Sequence, residues 1–475
     1  MAGTPPAPVG DDSLADTVIV SNRGPLSFHF DDGRPVAGPS AGGLAGSLHP
    51  LVTGTGATWV ACALGDADRM AVSEGLVTEP GLRIELLEPD PDLYQMAYDV
   101  VSNATLWFCH HHLFDAARRP RSDEHWGEAW EAYRDYNRLF ADRVAEVAPD
   151  GARVLVHDYH LSLLGCELFG LRPDLRTVHF THTPFADPAA LRMLPVSVAE
   201  ELLAGMGGYH ARGFHSDRWA AGYQACQREL GTGLVLAGEG TSTFTSALTP
   251  DPEQLAETAA RPEVKQALVA LEEAIGGADR KVIVRVDRME LSKNLLRGFW
   301  AFEELLEQQP EWRERVVFVA MAYPSRQGLA EYLAYQNEVE STVARINEQW
   351  AAPGWTPIVL LVDDDYLRSV AALTRYDVLL VNPIRDGLNL VCKEGPLVNT
   401  RNGVVALSRE AGAFEELWPG VLEVNPFDVA GTVSVLAQAL DMDDAERAAM
   451  AKTLRDIIVS RSPATWLNDL LNAAH

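Results

Sequence analysis

Val381-Asn382-Pro383-Ile384-Arg385-Asp386-Gly387-Leu388-Asn389-Leu390-Val391-Cys392-Lys393-Glu394 follows Asp377-Val378-Leu379-Leu380, a short apolar run of the kind that forms a buried strand. The segment therefore reads as strand, loop, helix. Pro383 ends the strand, Gly387 permits a tight turn, and Leu388 to Val391 open a helix whose first backbone N–H groups point back into the loop. Such helix starts attract anions. Asp386 lies at the loop apex, and Glu394, about two turns in, returns to the side of Asn389 or Leu390. Two carboxylates around an anion-binding helix end suit a sugar, a diphosphate and a ribose. A plain capped turn, with Asp386 as the helix cap, is equally open.

Similar runs recur on both sides of this stretch. In the first half they fall at Thr17 to Ser21, Thr58 to Leu64, Arg83 to Leu87, Thr105 to Phe108, Arg153 to His157 and Thr177 to Thr181. The second half has them at Lys281 to Val286, Val316 to Ala322, Ile358 to Val362, Gly403 to Leu407 and Val421 to Val424. Helical patterns lie between many of them, so each half is expected to be a parallel, doubly wound α/β sheet. The chain loosens into Gly, Thr, Ser and Pro around Gly231 to Pro252. The expected division is a disordered tail over 1–16, an N-terminal domain over 17–248 and a C-terminal domain over 249–455. A last helix over 456–475 carries Trp466, Leu467, Leu470 and Leu471 on an apolar face that must dock, with the N-terminal domain as the expected partner. Asp123 to Val147 is the longest helical stretch; Trp126, Trp130, Tyr133, Asn137 and Phe140 on it are expected to be core.

Composition narrows the function. Among 475 residues, 39 Lys+Arg stand against 67 Asp+Glu, a formal charge of −28. That excess argues against nucleic acid or an anionic membrane as partner. Any phosphate site must be local, which makes basic residues at strand ends informative. The five cysteines are scattered and lack a Cys-x-x-Cys pair, as expected of reduced thiols in a cytoplasmic protein. No leader-like start and no membrane-crossing apolar run is read.

Val284-Arg285-Val286-Asp287-Arg288-Met289-Glu290-Leu291-Ser292-Lys293-Asn294 sets two cations, Arg288 and Lys293, after the second domain's first strand. Paired cations with a helix start can stabilise an expelled diphosphate without a metal. Ion pairs on a surface loop, to Glu290 and Asp287, are the bland account. Arg326, after the next strand, and Arg23, after the first strand of the chain, also sit at strand ends. His157-Asp158-Tyr159-His160 and the His182-Thr183-Pro184-Phe185 turn fall at two further ends, where ligands of such sheets bind. Asp363-Asp364-Asp365 reads as a helix cap rather than a magnesium site, and His110-His111-His112 lacks zinc spacing. No metal or other cofactor is expected.

Taken together, these motifs resemble the trehalose-6-phosphate synthases, retaining glycosyltransferases of family 20 with two Rossmann-like domains facing across a cleft in the GT-B fold. The resemblance runs from about Thr17 to the final helix. It implies that Ser21-Asn22-Arg23 and the glycine loop open the first domain, with Gly43 of that loop among the donor-binding residues. It puts Tyr98, Trp107 and Asp158 on the acceptor sugar, Arg23 with Arg326 on the phosphate of glucose 6-phosphate, and His182 beside the donor glucose. On the donor side it assigns Arg288 and Lys293 to the diphosphate. Asp386, with the backbone of Gly387, Leu388, Asn389, Leu390 and Val391, is assigned to the donor sugar, and Glu394 to the ribose. Asp158, His182, Arg288, Lys293 and Asp386 are the implied catalytic set.

The implied reaction is front-face transfer of glucose with retention from a nucleoside-diphosphate glucose to glucose 6-phosphate, giving α,α-trehalose 6-phosphate. The Ser-Asn-Arg-Gly-Pro and Val-Asp-Arg-x-Glu-Leu-Ser-Lys-Asn wording is closest to users of GDP-glucose, with UDP-glucose next. Alternatives are a pseudo-glycosyltransferase joining an activated cyclitol to an aminocyclitol phosphate, a glucosylglycerol-phosphate synthase, and a silent sugar-phosphate sensor. Retention of Arg385-Asp386-Gly387-Leu388-Asn389 weighs against the first. A homo-oligomer is left open.

Overall fold

Apolar runs become parallel strands in both halves of the chain. The structure, a computed structural model, describes residues 14–39, 43–233 and 242–474. In chain order the first half contributes β1 (Thr17–Arg23), β2 (Leu26–Asp31), β3 (Arg34–Pro39), β4 (Thr58–Cys62), β5 (Arg83–Leu87), β6 (Arg153–His157), β7 (Arg176–Thr181), β8 (Ala211–Phe214) and β9 (Ser242–Thr245). The second half contributes β10 (Lys281–Arg288), β11 (Val316–Tyr323), β12 (Ile358–Leu361), β13 (Val378–Val381), β14 (Val404–Ser408) and β15 (Leu422–Val424). Two compact units result: one runs to Leu248 and resumes at Pro463, the other is Thr249–Ser462.

The first unit holds a parallel sheet in the order β5-β4-β1-β6-β7-β8-β9. Val18, Ile19 and Val20 of β1 and Val154, Leu155 and Val156 of β6 are completely buried, because helices cover both faces and leave no polar side to the strand. The second unit repeats the design in the order β12-β11-β10-β13-β14-β15. In each sheet the chain first builds outward on one side of a central strand and then returns to the other. The switch points are therefore β1/β6 and β10/β13, and open α/β sheets bind ligands outside the carboxyl ends of such strands.

Several details differ from the sequence reading. Thr105 to Phe108 is helical: Met96–Leu106 forms a π-helix that continues as the helix Trp107–His111. The β2–β3 hairpin turns on Asp32 and Gly33, both with positive φ (46° and 77°), a two-residue turn that the Asp-Gly pair favours. Leu14 to Asp16 are tied into the first sheet, since Thr17 N–H donates to Leu14 O at 2.9 Å and Arg153 N–H to Asp16 O at 3.1 Å. Leu14 to Asp16 thus do not belong to the tail expected over 1–16, and residues 1–13 lie outside the described residues. The helical stretch after Pro252 is broken at Arg261-Pro262, and the last helix is Pro463–Ala473, in the first unit. Its Trp466 is completely buried against His157, Phe180 and His182. No described helix is long and apolar enough to cross a membrane.

Candidate active site

In the second unit the site is built at the β10/β13 switch point. β10 ends on Arg288, and the turn Leu291–Lys293 then meets the loop after β13: Ile384 N–H donates to Ser292 O at 2.8 Å. Asn294, held in the left-handed region at φ 61°, locks the two loops together by donating to Asn382 O at 2.9 Å and Pro426 O at 2.8 Å. Lys293 Nζ thereby comes to 2.6 Å from Asp386 Oδ2 and 3.9 Å from Asp287. Burial alone would favour the neutral amine; the charges of Asp386 and Asp287 outweigh it and raise the ammonium pKa, so Lys293 is a fixed cation. Asp287 is raised by burial despite Arg285 and Lys293, and Arg285, completely buried, donates to it at 2.8 Å.

The loop itself departs from expectation. The helix is Val391–Val398, and its side-chain cap is Asn389, whose Oδ1 accepts from Cys392 N–H at 3.2 Å. Asp386 instead accepts from Lys293 and, at 3.1 Å, from Asn389 Nδ2. Asn389 also supplies the positive φ of the turn, 75°. Glu394 lies in the first helical turn rather than two turns in, its N–H donating to Leu390 O at 2.8 Å. Burial pushes the Glu394 carboxyl up to about 7. Gly387 and Leu388 are buried, while Leu390 and Val391 are half-buried at the helix start.

Arg326 does not stand as an open arm. With φ 43° it folds onto Glu290, a completely buried carboxylate that also receives Arg288 at 2.9 Å, Ser325 Oγ at 2.9 Å and Tyr332 OH at 2.8 Å. Burial would raise the Glu290 carboxyl, but Arg288 and Arg326 hold it down at about 2. Farther along the sheet edge, Asp365 of the acidic triplet caps the helix Tyr366–Arg375 by accepting from Arg368 N–H at 3.0 Å.

In the first unit the expected residues gather at the ends of β1, β6 and β7. Arg23 is exposed at the end of β1, behind Ser21 and Asn22, which are held by Trp59 Nε1 and Tyr136 OH. The π-helix carries Tyr98, which stacks between Tyr94 (5.0 Å) and His160 (5.5 Å) with interplanar angles of 13°. His160 stacks on Tyr159 at 4.1 Å, and Trp107 lies 5.9 Å from Tyr159. Tyr98 and Trp107 thus belong to one continuous aromatic wall beside Asp158.

Asp158 has φ 73° and ψ 169°, backbone space that is essentially reserved for glycine, and its Oδ1 accepts from His182 N–H at 3.1 Å. Leu248 N–H donates to His215 Nδ1 (3.4 Å), so His215 offers Nε2–H to His182 Nδ1 (3.1 Å), and His182 in turn offers Nε2–H to His157 Nδ1 (3.2 Å). Burial lowers His182 to about 3 and His157 well below its ordinary value, which keeps these two rings neutral. Both ring nitrogens and the backbone N–H of His182 are engaged, which leaves its backbone carbonyl as the part offered to a ligand.

The candidates form two sets, one in each unit. Arg288, Lys293, Asp386, Glu394 and the 387–391 backbone share the second unit with Arg326. Arg23, Tyr98, Trp107, Asp158 and His182 share the first. The phosphate clamp expected of Arg23 with Arg326 is split between units, and neither unit forms it alone. Gly43 is the first residue of the helix Gly43–Val52, while Ser40 to Gly42 of the glycine loop lie outside the described residues. The sequence reading missed Glu290, His157 and His215 as parts of the site.

The family profile described as Glycosyltransferase family 20 matches residues 15–475. The chain is 30% identical, over 96% of its length, to the probable alpha,alpha-trehalose-phosphate synthase [UDP-forming] 2 of Arabidopsis thaliana, but spans only about half of that relative (56%). It is 32% identical over 95% of its length to the alpha,alpha-trehalose-phosphate synthase [UDP-forming] 1 of Aspergillus niger and spans 88% of it. The crystal structure of a UDP-forming alpha,alpha-trehalose-phosphate synthase from Burkholderia xenovorans in complex with glucose-6-phosphate superposes with a TM-score of 0.83 at 26% identity, covering 96% of this chain and 99% of that one. These relatives are named UDP-forming, which gives the expectation of GDP-glucose no support.

Proposed function

The chain belongs to glycosyltransferase family 20, with the GT-B class of α/β architecture, and on that premise we propose that it transfers glucose from UDP-glucose to glucose 6-phosphate with retention, forming α,α-trehalose 6-phosphate. The observation that carries the proposal is the Lys293–Asp386 pair with Arg288 at the β10/β13 switch point. A fixed ammonium and a guanidinium beside a helix start answer the charge that develops when a nucleoside diphosphate leaves. The amides of Leu390 and Val391 are among those a helix start leaves without an intrahelical partner, and they add to that field.

In the proposed reaction the bond between C1 of glucose and the β-phosphate oxygen breaks as the acceptor hydroxyl bonds to C1 on the same face. The acceptor proton passes to the leaving phosphate oxygen. No protein nucleophile is required, and the positive charge of Arg288 and Lys293 makes a metal unnecessary. Asp386 orients Lys293 and takes hydroxyls of the donor sugar, and Glu394 accepts from the ribose. Tyr98 and Trp107 wall the acceptor ring, Asp158 accepts from its hydroxyls, and Arg23 and Arg326 take its phosphate. His182 presents its backbone carbonyl to the donor glucose. The five free cysteines suit a reducing cytoplasm, where both substrates are to be met.

The test is a rate comparison of UDP-, GDP- and ADP-glucose with glucose 6-phosphate as acceptor. The proposal expects the highest kcat/KM with UDP-glucose and stoichiometric UDP release. A preference for GDP-glucose would overturn the donor assignment, and transfer from none of the three would overturn the activity.

A further inference from the structure

Glu290 is a fully buried carboxylate with four partners, and nothing in the proposed chemistry uses it. One of its oxygens, Oε1, receives Arg288 Nη1 at 2.9 Å, Ser325 Oγ at 2.9 Å and Arg326 Nη1; the other receives Tyr332 OH at 2.8 Å. Its side chain is fully buried, whereas those of Arg288 and Arg326 are 38% and 12% exposed. The guanidiniums therefore reach outward from one fixed anion. The proposed function gives these two cations to different substrates: Arg288 to the donor's diphosphate and Arg326 to the acceptor's phosphate.

We propose that Glu290 is the positioning residue that ties the donor-side cation to the acceptor-side cation, so that a single buried carboxylate sets the placement of both phosphate-binding arginines. This rests on the reading of Arg288 and Arg326 given above. Like charges repel, and two guanidiniums that meet at one oxygen need an anion between them to stay there. A buried, multiply bonded carboxylate holds them at the least cost in side-chain entropy when a phosphate arrives. Tyr332, from the helix Ala330–Trp350, fixes the second oxygen and so prevents the carboxylate from turning.

Two physical effects compete, and their signs differ. If Glu290 were only a nearby negative charge, removing that charge would tighten the binding of both anionic ligands. If it positions the arginines, the neutral isostere loosens both. Glu290→Gln is the variant, with dissociation constants for UDP, uridine, glucose 6-phosphate and glucose measured by calorimetry on the full chain. The expected result is a loss of tenfold or more for UDP and for glucose 6-phosphate together, with uridine and glucose changed less than twofold. General loosening of the fold would weaken the uncharged ligands as well. Tyr332→Phe, which frees one oxygen and keeps every charge, is expected to give a smaller loss with the same pattern, and serves where Glu290→Gln does not fold. Tighter binding, loss for only one of the two phosphorylated ligands, or equal loss for the uncharged ones would overturn the inference. Failure of the wild-type chain to bind UDP or glucose 6-phosphate would instead overturn the proposed function.

Discussion

Asp158 and Glu394 each occupy a state that an ordinary residue of their type avoids. At Asp158 the strain of a glycine-only conformation costs about 1–3 kcal/mol, against about 1 kcal/mol gained from the bond accepted from His182 N–H. Asp158→Gly is therefore expected to unfold at an equal or higher urea midpoint while transfer is lost; a clear fall in the midpoint would show that the conformation is not strained. Glu394 keeps its proton to about pH 7 when folded, against 4.5 for the ordinary carboxyl, so between those values the folded state binds more protons than the unfolded one. Stability therefore falls as pH rises through that window, by at most about 3 kcal/mol. Urea unfolding of Glu394→Gln across pH 5 to 8 is expected to lack that decline. Ribose hydroxyls favour the ionised carboxylate, so donor affinity rises as pH passes about 7, and the same variant flattens that dependence too.

The row His215, His182, His157 joins the ends of separate strands to Leu248, the last residue before the chain enters the second unit. Burial holds His182 near 3, so acidification below the ordinary 6.5 protonates the unfolded chain first and stability is lost as pH falls. His182→Asn should lessen this acid sensitivity in urea titrations at pH 4 to 7; an unchanged slope would mean that the row is not what resists protonation. The strands themselves were legible because a parallel strand covered on both faces must be apolar throughout, as Val378 to Val381 is. Thr105 to Phe108 carries the same apolar signal where the π-helix passes into the helix Trp107–His111, and four residues are too few to tell strand from helix by period. Arg288, Lys293 and Asp386 were legible because strand ends at switch points are where such sheets bind. Glu290 was not, because Arg326 and Tyr332, which bury it, come 36 and 42 residues later and a carboxylate between cations reads as a surface pair. Asp158 hid its strain for a related reason: nothing in His-Asp-Tyr-His announces a positive φ.

Across the whole chain, each unit keeps its own sheet and switch point, and the first unit is completed only when the last helix returns to it. Trp466, completely buried beside the histidine row, makes that return part of the acceptor-side architecture. Trp466→Ala is expected to cost about 3–5 kcal/mol. Hydrogen exchange should register the loss in the first unit's β6 and β7 and leave β10 and β13 of the second unit protected; uniform loss across both would mean that the two units unfold as one. In the proposed reaction the second unit's switch point stabilises the departing diphosphate while the acceptor is bound largely by other residues. The most direct test of this is Lys293→Ala, assayed for product by NMR and for glucose 6-phosphate binding by calorimetry. The expected result is a loss of transfer of about 10²–10³-fold or more with the glucose 6-phosphate dissociation constant changed by less than about threefold. Retained transfer, or equal loss of transfer and acceptor binding, would contradict it.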